Sequence, residues 1–324
     1  MQAISRLSTK RMLGLLLVSC LPMPGQAQYF DQQAVEGVLE SERVDLDALP
    51  DVSYESYVFS HPSGNTVLAR HALYRVLGSN DSKVGQQRAK LVELLNRVLL
   101  SEVRIGDTLV LPRGAASFDL DFRAYSPFPR RYPGAKAFDK LFVIDKSVQA
   151  FAAYEHGDLV RWGAVNTGAP GHTTPAGRYN FNWKEEYRVS SLSPKDEPWE
   201  MYWVFNFHET RGIHVHQYAF PAGGPTSHGC VRLIDADAKW IYNWADAWER
   251  EGGETGADGG GRLIEPGTTV LVLGEDPGGR PKLFVLGDDA PSLKKVELPA
   301  DPYDVPPGTP QQERFDRLRT RESR

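Results

Sequence analysis

The chain has 324 residues, with 37 Lys and Arg against 42 Asp and Glu, so its formal net charge is −5 at pH 7. An acidic balance of this kind argues against nucleic acid or an anionic membrane as the binding partner. The length suits one domain of moderate size with a smaller module beside it. The chain contains only two cysteines, Cys20 and Cys230.

Residues 1–27 have the pattern of an export signal. Arg6, Lys10 and Arg11 precede a short apolar run, and a small-residue cleavage site ends at Ala27. Cleavage there leaves 34 basic residues (37 minus 3) against 42 acidic ones, a balance of −8. An alternative is lipidation, because the residues before Cys20 also fit the box that precedes a lipidated cysteine. Either route leaves Cys230 as the one thiol of the mature chain.

Residues 28–50 are acidic without a strong pattern, and residues 51–112 predict a small α+β module. Asp81 can cap a helix that runs from about residue 83 to residue 100. The apolar residues of this helix recur on one face: Leu91, Leu94, Leu95 and Val98. A turn and a short strand follow at 106–112. Asn96-Arg97-Val98 and this turn resemble the second half of a LysM-type module, which implies a degenerate peptidoglycan-binding unit. A structural cap on the next domain is the alternative.

Residues 113–137 are expected to be a linker or a covering loop, and residues 138–275 read as the main domain. Short apolar runs there alternate with Gly, Pro and polar turns, which is typical of a mainly β sandwich or barrel. One helix is expected from residue 236 to about residue 251, capped by Asp235. Its aromatic stripe is expected in the core: Trp240, Ile241, Trp244 and Trp248. Residues 276–324 read as an extension that is disordered from residue 314.

The run from Ser227 to Leu233 carries the strongest chemical signal. A free thiol such as Cys230 is only a few per cent ionised at neutral pH, so it needs a base or a cation nearby to attack a carbonyl. His214 and His216 lie in an extended run upstream, and a period of two places both on one face. The pairs His214/His216 and His228/Cys230 also have the ligand types of a zinc site, which is a rival interpretation.

The motif resembles the signature of the L,D-transpeptidase catalytic domain: a histidine on a strand, a variable loop, then Ser-His-Gly-Cys. Three further landmarks of that family occur in the expected order: Leu141-Phe142-Val143-Ile144-Asp145, Asn166-Thr167-Gly168 and Thr174-Pro175-Ala176-Gly177. The resemblance covers residues 138–275. It implies the fold of that family, with one helix after the catalytic cysteine.

The resemblance also implies roles for individual residues. Cys230 is the expected nucleophile. His216 is the expected base, because Gly212-Ile213 precede it and Gln217 follows it as in many members, and His214 is the alternate base. Substrate or oxyanion contacts are expected from a further set: Ser227, His228, Gly229 and Arg232. No metal and no cofactor are expected.

The activity implied is peptidoglycan L,D-transpeptidation in the periplasm. Cys230 would form a thioester with the tetrapeptide stem, release D-alanine and pass the acyl group to an amine acceptor that the sequence does not identify. Hydrolysis of the same thioester is the first alternative, and a zinc-binding or non-catalytic peptidoglycan-binding protein is the second. Carbapenem-type β-lactams are the expected inhibitors.

Overall fold

The computed structural model describes residues 32–40, 44–219, 223–252, 261–287 and 289–322. The predicted export signal and Cys20 lie outside the described residues. The helices are α1 (Gln32–Leu39), α2 (Thr66–Leu77), α3 (Ser82–Asn96), α4 (Asp235–Trp244) and α5 (Pro310–Glu322). The strands are β1 (Tyr54–Val58), β2 (Thr108–Pro112), β3 (Lys140–Asp145), β4 (Ala150–Glu155), β5 (Asp158–Ala164), β6 (Gly177–Asn180), β7 (Lys184–Val189), β8 (Glu200–His208), β9 (Ile213–Gln217), β10 (Val231–Leu233), β11 (Glu249–Arg250), β12 (Leu263–Glu265), β13 (Thr269–Leu273), β14 (Phe284–Val285) and β15 (Ser292–Leu293). No helix among them is long and apolar enough to cross a membrane.

The module at 51–112 is an α+β unit in which β1 and β2 pair antiparallel and enclose α2 and α3 in sequence. The Asp81 side chain caps α3 as predicted and accepts the Lys83 N–H at 2.8 Å. Helix α3 ends at Asn96, four residues earlier than expected, because Arg97 adopts the left-handed conformation with φ 54°. Helix α2 is capped by Asn65 and was not predicted.

Helix α3 joins this module to the main domain. Its Ala89 and Val92 belong to the module's own apolar core. Its Leu91, Leu94 and Leu95 belong instead to a larger cluster that includes strand residues of the main domain. Burying apolar surface on both sides of one helix stabilises a fixed arrangement of the two units, which favours the structural-cap interpretation of the module.

Residues 113–137 cover the main domain rather than link two separate bodies. Four aromatic side chains of this segment are buried in the shared cluster: Phe122, Tyr125, Phe128 and Tyr132. The Phe122 ring stacks on Trp162 with centroids 4.6 Å apart, and the Trp162 Nε1–H donates to the Phe122 carbonyl at 2.8 Å.

The main domain is mainly β, as predicted, and consists of two open sheets. One sheet has the order β5-β4-β3-β13-β6, with β13 parallel to β3 and antiparallel to β6. The other has the order β10-β9-β8-β7, with β10 parallel to β9. Apolar side chains from both sheets and from α4 form one core between them. Neither sheet closes on itself, so the sandwich alternative is correct and the barrel alternative is wrong.

Helix α4 is shorter than expected, ending at Trp244 instead of near residue 251. Ala245 is extended with ψ 151°, and Trp248 lies in a separate cluster with Trp183 and Met201. The expected cap was also wrong: Asp235 is the first helical residue, and its carboxylate accepts the Trp203 Nε1–H at 2.8 Å.

The C-terminal extension packs along strand β6, and its end is helical in α5 where the composition predicts disorder from residue 314. A buried arginine explains the difference, because Arg178 of β6 makes two hydrogen bonds to the Asp316 carboxylate, at 2.8 and 2.7 Å. Before α5, the Arg178 N–H donates to the Pro306 carbonyl and the Gly308 N–H donates to the Arg178 carbonyl. A Cβ at Gly308 would lie 2.1 Å from the Tyr179 ring, so this close approach requires glycine.

Candidate active site

Strands β9 and β10 place the chemically important side chains on one face. In their parallel pairing Val231 lies beside Val215 and Arg232 lies beside His216. Both valines are buried in the core between the sheets. Because side chains alternate along a strand, His214 and His216 point to the opposite face, and Cys230, one residue before Val231, lies alongside His214.

A tight turn at Ser227–Gly229 presents the thiol. Gly229 has φ +117°, a conformation that side-chain-bearing residues rarely adopt. The Ser227 hydroxyl accepts the Gly229 N–H at 3.0 Å and donates to the Cys230 carbonyl at 2.5 Å. Ser227 therefore organises the turn from inside, whereas the sequence predicts a substrate contact. It also occupies the Gly229 N–H, while the Cys230 N–H has no partner among the described residues and is free to bind an oxyanion.

The landmarks upstream of the motif hold this turn in place. The Thr174 hydroxyl donates to the Gly229 carbonyl at 2.7 Å and accepts the Gly168 N–H at 3.0 Å. The Thr167 carbonyl accepts two backbone N–H groups from residues 226 and 227, at 2.8 and 3.0 Å. Asn166 pairs through its backbone with Arg232. These residues act on the site only through the backbone of the catalytic turn.

The Cys230 thiol is half-buried and is neutral at rest. Burial raises its pKa, and this effect outweighs a hydrogen bond from the His214 backbone and the charge of Arg232, both of which lower it. A thiol in this state needs a base to accept its proton during attack.

His216 is a neutral imidazole whose Nε2 makes no hydrogen bond to the described residues. Burial lowers its pKa to about 4; a hydrogen bond to the Gln217 backbone partly offsets the effect of burial, and the charge of Arg232 adds a smaller lowering. Its Nδ1 lies 2.7 Å from the Gln217 carbonyl oxygen, which can only accept. The proton of the neutral ring is therefore on Nδ1, and Nε2 carries the lone pair that a general base needs.

His214 is also neutral, and its pKa is lowered to about 3 mainly by burial, with smaller lowerings from His216 in its protonated form and from the charge of Arg188. Its ring meets the Trp183 ring edge-on with centroids 5.1 Å apart. Its Nδ1 lies 3.1 Å from the side-chain nitrogen of Asn206 on the neighbouring strand β8.

The thiol and both histidines line one cavity of about 730 Å³. Arg232 lies in its wall, with the guanidinium 4.1 Å from the centre of the Tyr218 ring. It makes no ion pair with the described residues, and its Nη1 donates to the Thr226 carbonyl at 3.4 Å. His228 is exposed and stacks on Trp199 with centroids 5.3 Å apart.

Further residues of this cavity were not predicted from the sequence. Trp199 follows the loop between β7 and β8, and Arg188 and Arg211 add positive charge to the wall. Their local sequences carry no motif, since Arg188 and Trp199 reach the cavity through the hairpin of β7 and β8, and Arg211 reaches it through the turn between β8 and β9. The lining therefore combines aromatic rings with charged side chains of both signs, since Glu200 and Glu209 also lie in it.

The zinc interpretation has no geometric support. Within the described ranges no three His, Cys, Asp or Glu side chains are grouped closely enough to hold a metal ion. The His228 ring packs between Trp199 and His172 instead of joining the two strand histidines.

A thiol on a glycine turn that shares a cavity with a neutral imidazole unprotonated on Nε2 has the groups of a cysteine acyl-transfer site. The family comparison agrees: residues 139–272 match the family model of the L,D-transpeptidase catalytic domain. The Probable L,D-transpeptidase 3 of Mycobacterium tuberculosis (strain ATCC 25618 / H37Rv) is 33% identical over 93 residues. Those residues cover 25% of this chain and 34% of the relative, so the match spans about a third of that protein.

Solved structures of the same family also align with this chain. An L,D-transpeptidase from Stackebrandtia nassauensis is 25% identical, with a TM-score of 0.33, over 44% of this chain and 58% of that one. L,D-transpeptidase 3 from Mycobacterium tuberculosis, in complex with a faropenem-derived adduct, is 22% identical with a TM-score of 0.31. That alignment covers 41% of this chain and 60% of that one. Residues 139–272 of the present chain are an L,D-transpeptidase catalytic domain.

Proposed function

We propose that this protein is a peptidoglycan L,D-transpeptidase that acts on the tetrapeptide stem. The observation that carries the proposal is that one cavity of about 730 Å³ is lined both by the Cys230 thiol and by His216, whose Nδ1–H donates to the Gln217 carbonyl and leaves Nε2 unprotonated. The cavity also has three arginines in its wall, Arg188, Arg211 and Arg232, which suit the carboxylates of a peptide stem.

The first half-reaction follows from these groups. As the Cys230 sulfur attacks the carbonyl between the third residue and D-alanine, its proton passes to His216 Nε2. The Cys230 N–H donates to the oxygen that becomes negative. The C–N bond then breaks, His216 returns the proton to the leaving amine of D-alanine, and a thioester remains on Cys230.

The second half-reaction reverses these roles. An amine acceptor attacks the thioester and loses a proton to His216, and the departing Cys230 sulfur regains that proton. An acceptor from a neighbouring stem gives a 3→3 cross-link, and another amine attaches a different molecule. Water in place of the amine gives hydrolysis, which is the second candidate function and is separated from the first by its products.

We also propose that the protein is exported and works in the periplasm, with residues 1–27 removed. The pattern of Arg6, Lys10 and Arg11 before an apolar run supports this proposal. Intact-mass measurement of the protein from the cell envelope tests it. A mature chain that begins at Gln28 is expected, whereas a lipid-modified N-terminus at Cys20 would show membrane anchoring instead.

The activity is tested by incubating the mature protein with defined tetrapeptide muropeptides and identifying the products by mass spectrometry. Wild-type protein should release D-alanine and form cross-linked dimers, and Cys230→Ala should do neither while remaining folded. A strong chelator should have no effect, whereas a thiol alkylator or a carbapenem should inactivate the enzyme through Cys230. Release of D-alanine by Cys230→Ala at a near wild-type rate would refute the thiol mechanism.

A further inference from the structure

The Nδ1 atoms of His214 and His216 have hydrogen-bond partners of different kinds. His216 Nδ1 meets the Gln217 carbonyl, which can only accept a hydrogen bond. His214 Nδ1 meets the Asn206 side chain, whose amide has both a donating and an accepting end. The protonation of His214 therefore depends on which way the Asn206 amide points.

One backbone carbonyl determines the orientation of Asn206. The Asn206 amide end that meets His214 also lies 3.2 Å from the Ile213 carbonyl oxygen. Because that oxygen only accepts, this end must be the NH2 group, and it donates to His214 Nδ1. The proton of the neutral His214 ring is then on Nε2. The His214 side chain lines the cavity, and its Nε2 makes no hydrogen bond to the described residues.

Two more side-chain amides, those of Asn182 and Gln311, extend the hydrogen-bond chain outward from Asn206. The Asn206 carbonyl oxygen accepts from the Asn182 amide at 2.7 Å, so the Asn182 oxygen must face the other way. That oxygen accepts from the Gln311 amide at 2.9 Å, and Gln311 lies in α5. Asn182 and Asn206 are 2% and 1% exposed, so water does not compete with these bonds.

We propose that His214 is a neutral hydrogen-bond donor in the active site, with its proton held on Nε2 by Asn206, whose amide is oriented by the Ile213 carbonyl and supported by a relay through Asn182 to Gln311. The C-terminal helix thereby positions a group in the cavity although it lies outside the matched catalytic domain, residues 139–272. Next to Cys230 in the strand pairing, this donor faces the acyl group of the bound substrate. Its role toward the acyl group rests on the proposed function, whereas the position of its proton does not.

Long-range proton–nitrogen NMR spectra of the ¹⁵N-labelled full chain test the proton position directly, with peaks assigned from His214→Gln and His216→Gln. The expected result at pH 7 is Nε2–H for His214 and Nδ1–H for His216. Asn206→Asp should move the His214 proton to Nδ1, because a carboxylate can only accept. A wild-type His214 that is protonated on Nδ1, or an unchanged tautomer in Asn206→Asp, would overturn the relay.

The kinetic arm uses acylation of Cys230 by a carbapenem, with iodoacetamide as a probe that needs no carbonyl contact. His214→Ala should slow acylation about 10²-fold, the loss expected for one oxyanion donor, whereas His214→Gln keeps an N–H near Nε2 and should restore most of the rate. Alkylation by iodoacetamide should change little in either variant. Equal acylation rates for the Ala and Gln variants would refute the donor role.

Helix α5 contains both Gln311, the outermost residue of the relay, and a neighbouring glutamine that serves as a matched control. Gln311→Ala should slow acylation about fivefold, the rate equivalent of one hydrogen bond. Gln312→Ala removes the neighbouring glutamine, which bonds to Asp316 and not to Asn182, and should leave the rate unchanged. Equal losses in both variants would show that α5 acts only through stability. If the wild-type thiol reacts with iodoacetamide but with no carbapenem or muropeptide, the proposed function fails while the NMR result still decides the relay.

Discussion

Replacing His214 and His216 by glutamine, one at a time, distinguishes a histidine that acts as a general base from one that only donates a hydrogen bond. Glutamine keeps an N–H group near the position of Nε2 but cannot accept a proton at neutral pH. His216 has a pKa of about 4, so at pH 7 nearly every molecule has the base nitrogen free, and the variant loses that function completely. His216→Gln should therefore lower acylation by at least about 10²-fold. His214→Gln should cost less than tenfold, since at most about one hydrogen bond is weakened.

The assay is D-alanine release from one tetrapeptide substrate, with folding checked by circular dichroism. The comparison is needed because the strand pairing itself favours the other histidine: Cys230 lies alongside His214, and the His214 backbone N–H donates to the thiol. If His214→Gln is the inactive enzyme and His216→Gln the mild one, the tautomer reasoning is wrong and the base lies two residues upstream. The family assignment would survive that result.

Two further predictions concern stability. Because the pKa values of His214 and His216 are lowered to about 3 and about 4, the unfolded chain binds more protons below pH 6.5, and stability is lost as the pH falls from there toward 4. Urea unfolding should give a free energy of unfolding that is about 2 kcal/mol lower per histidine at pH 5 than at pH 7. If a His214→Gln/His216→Gln double variant shows the same pH dependence of stability as wild type, this explanation is wrong. Asp316→Ala should lower the free energy of unfolding by roughly 2 kcal/mol, because it removes two charge-assisted hydrogen bonds to the buried Arg178. The control Glu313→Ala, on the exposed face of α5, should change this free energy by less than about 0.5 kcal/mol. Equal effects of the two variants would show that the Arg178–Asp316 pair does not hold the helix.

Short-range chemistry explains why the catalytic motif could be predicted from the sequence. A thiol preceded by a glycine at positive φ, and histidines at a spacing of two on a strand, are local patterns that survive folding unchanged. The helix cap at Asp81 is equally local, because the carboxylate bonds to N–H groups two and three residues away. The alternating apolar runs likewise determined the mainly β class, since each strand buries one face against the core.

The tertiary structure decided whatever depends on partners distant in sequence. Helix α5 forms because its Asp316 meets Arg178, 138 residues away, and composition alone cannot reveal that pair. The second sheet has β10 at its edge as a short strand parallel to β9, a pairing that no periodicity encodes. The protonation of His214 depends on Asn206, whose amide is oriented by the Ile213 carbonyl and supported through Asn182 by Gln311 at the far end of the chain. The residues of the site are thus recognisable from the sequence, whereas their protonation states are set by hydrogen bonds that only the folded chain brings together.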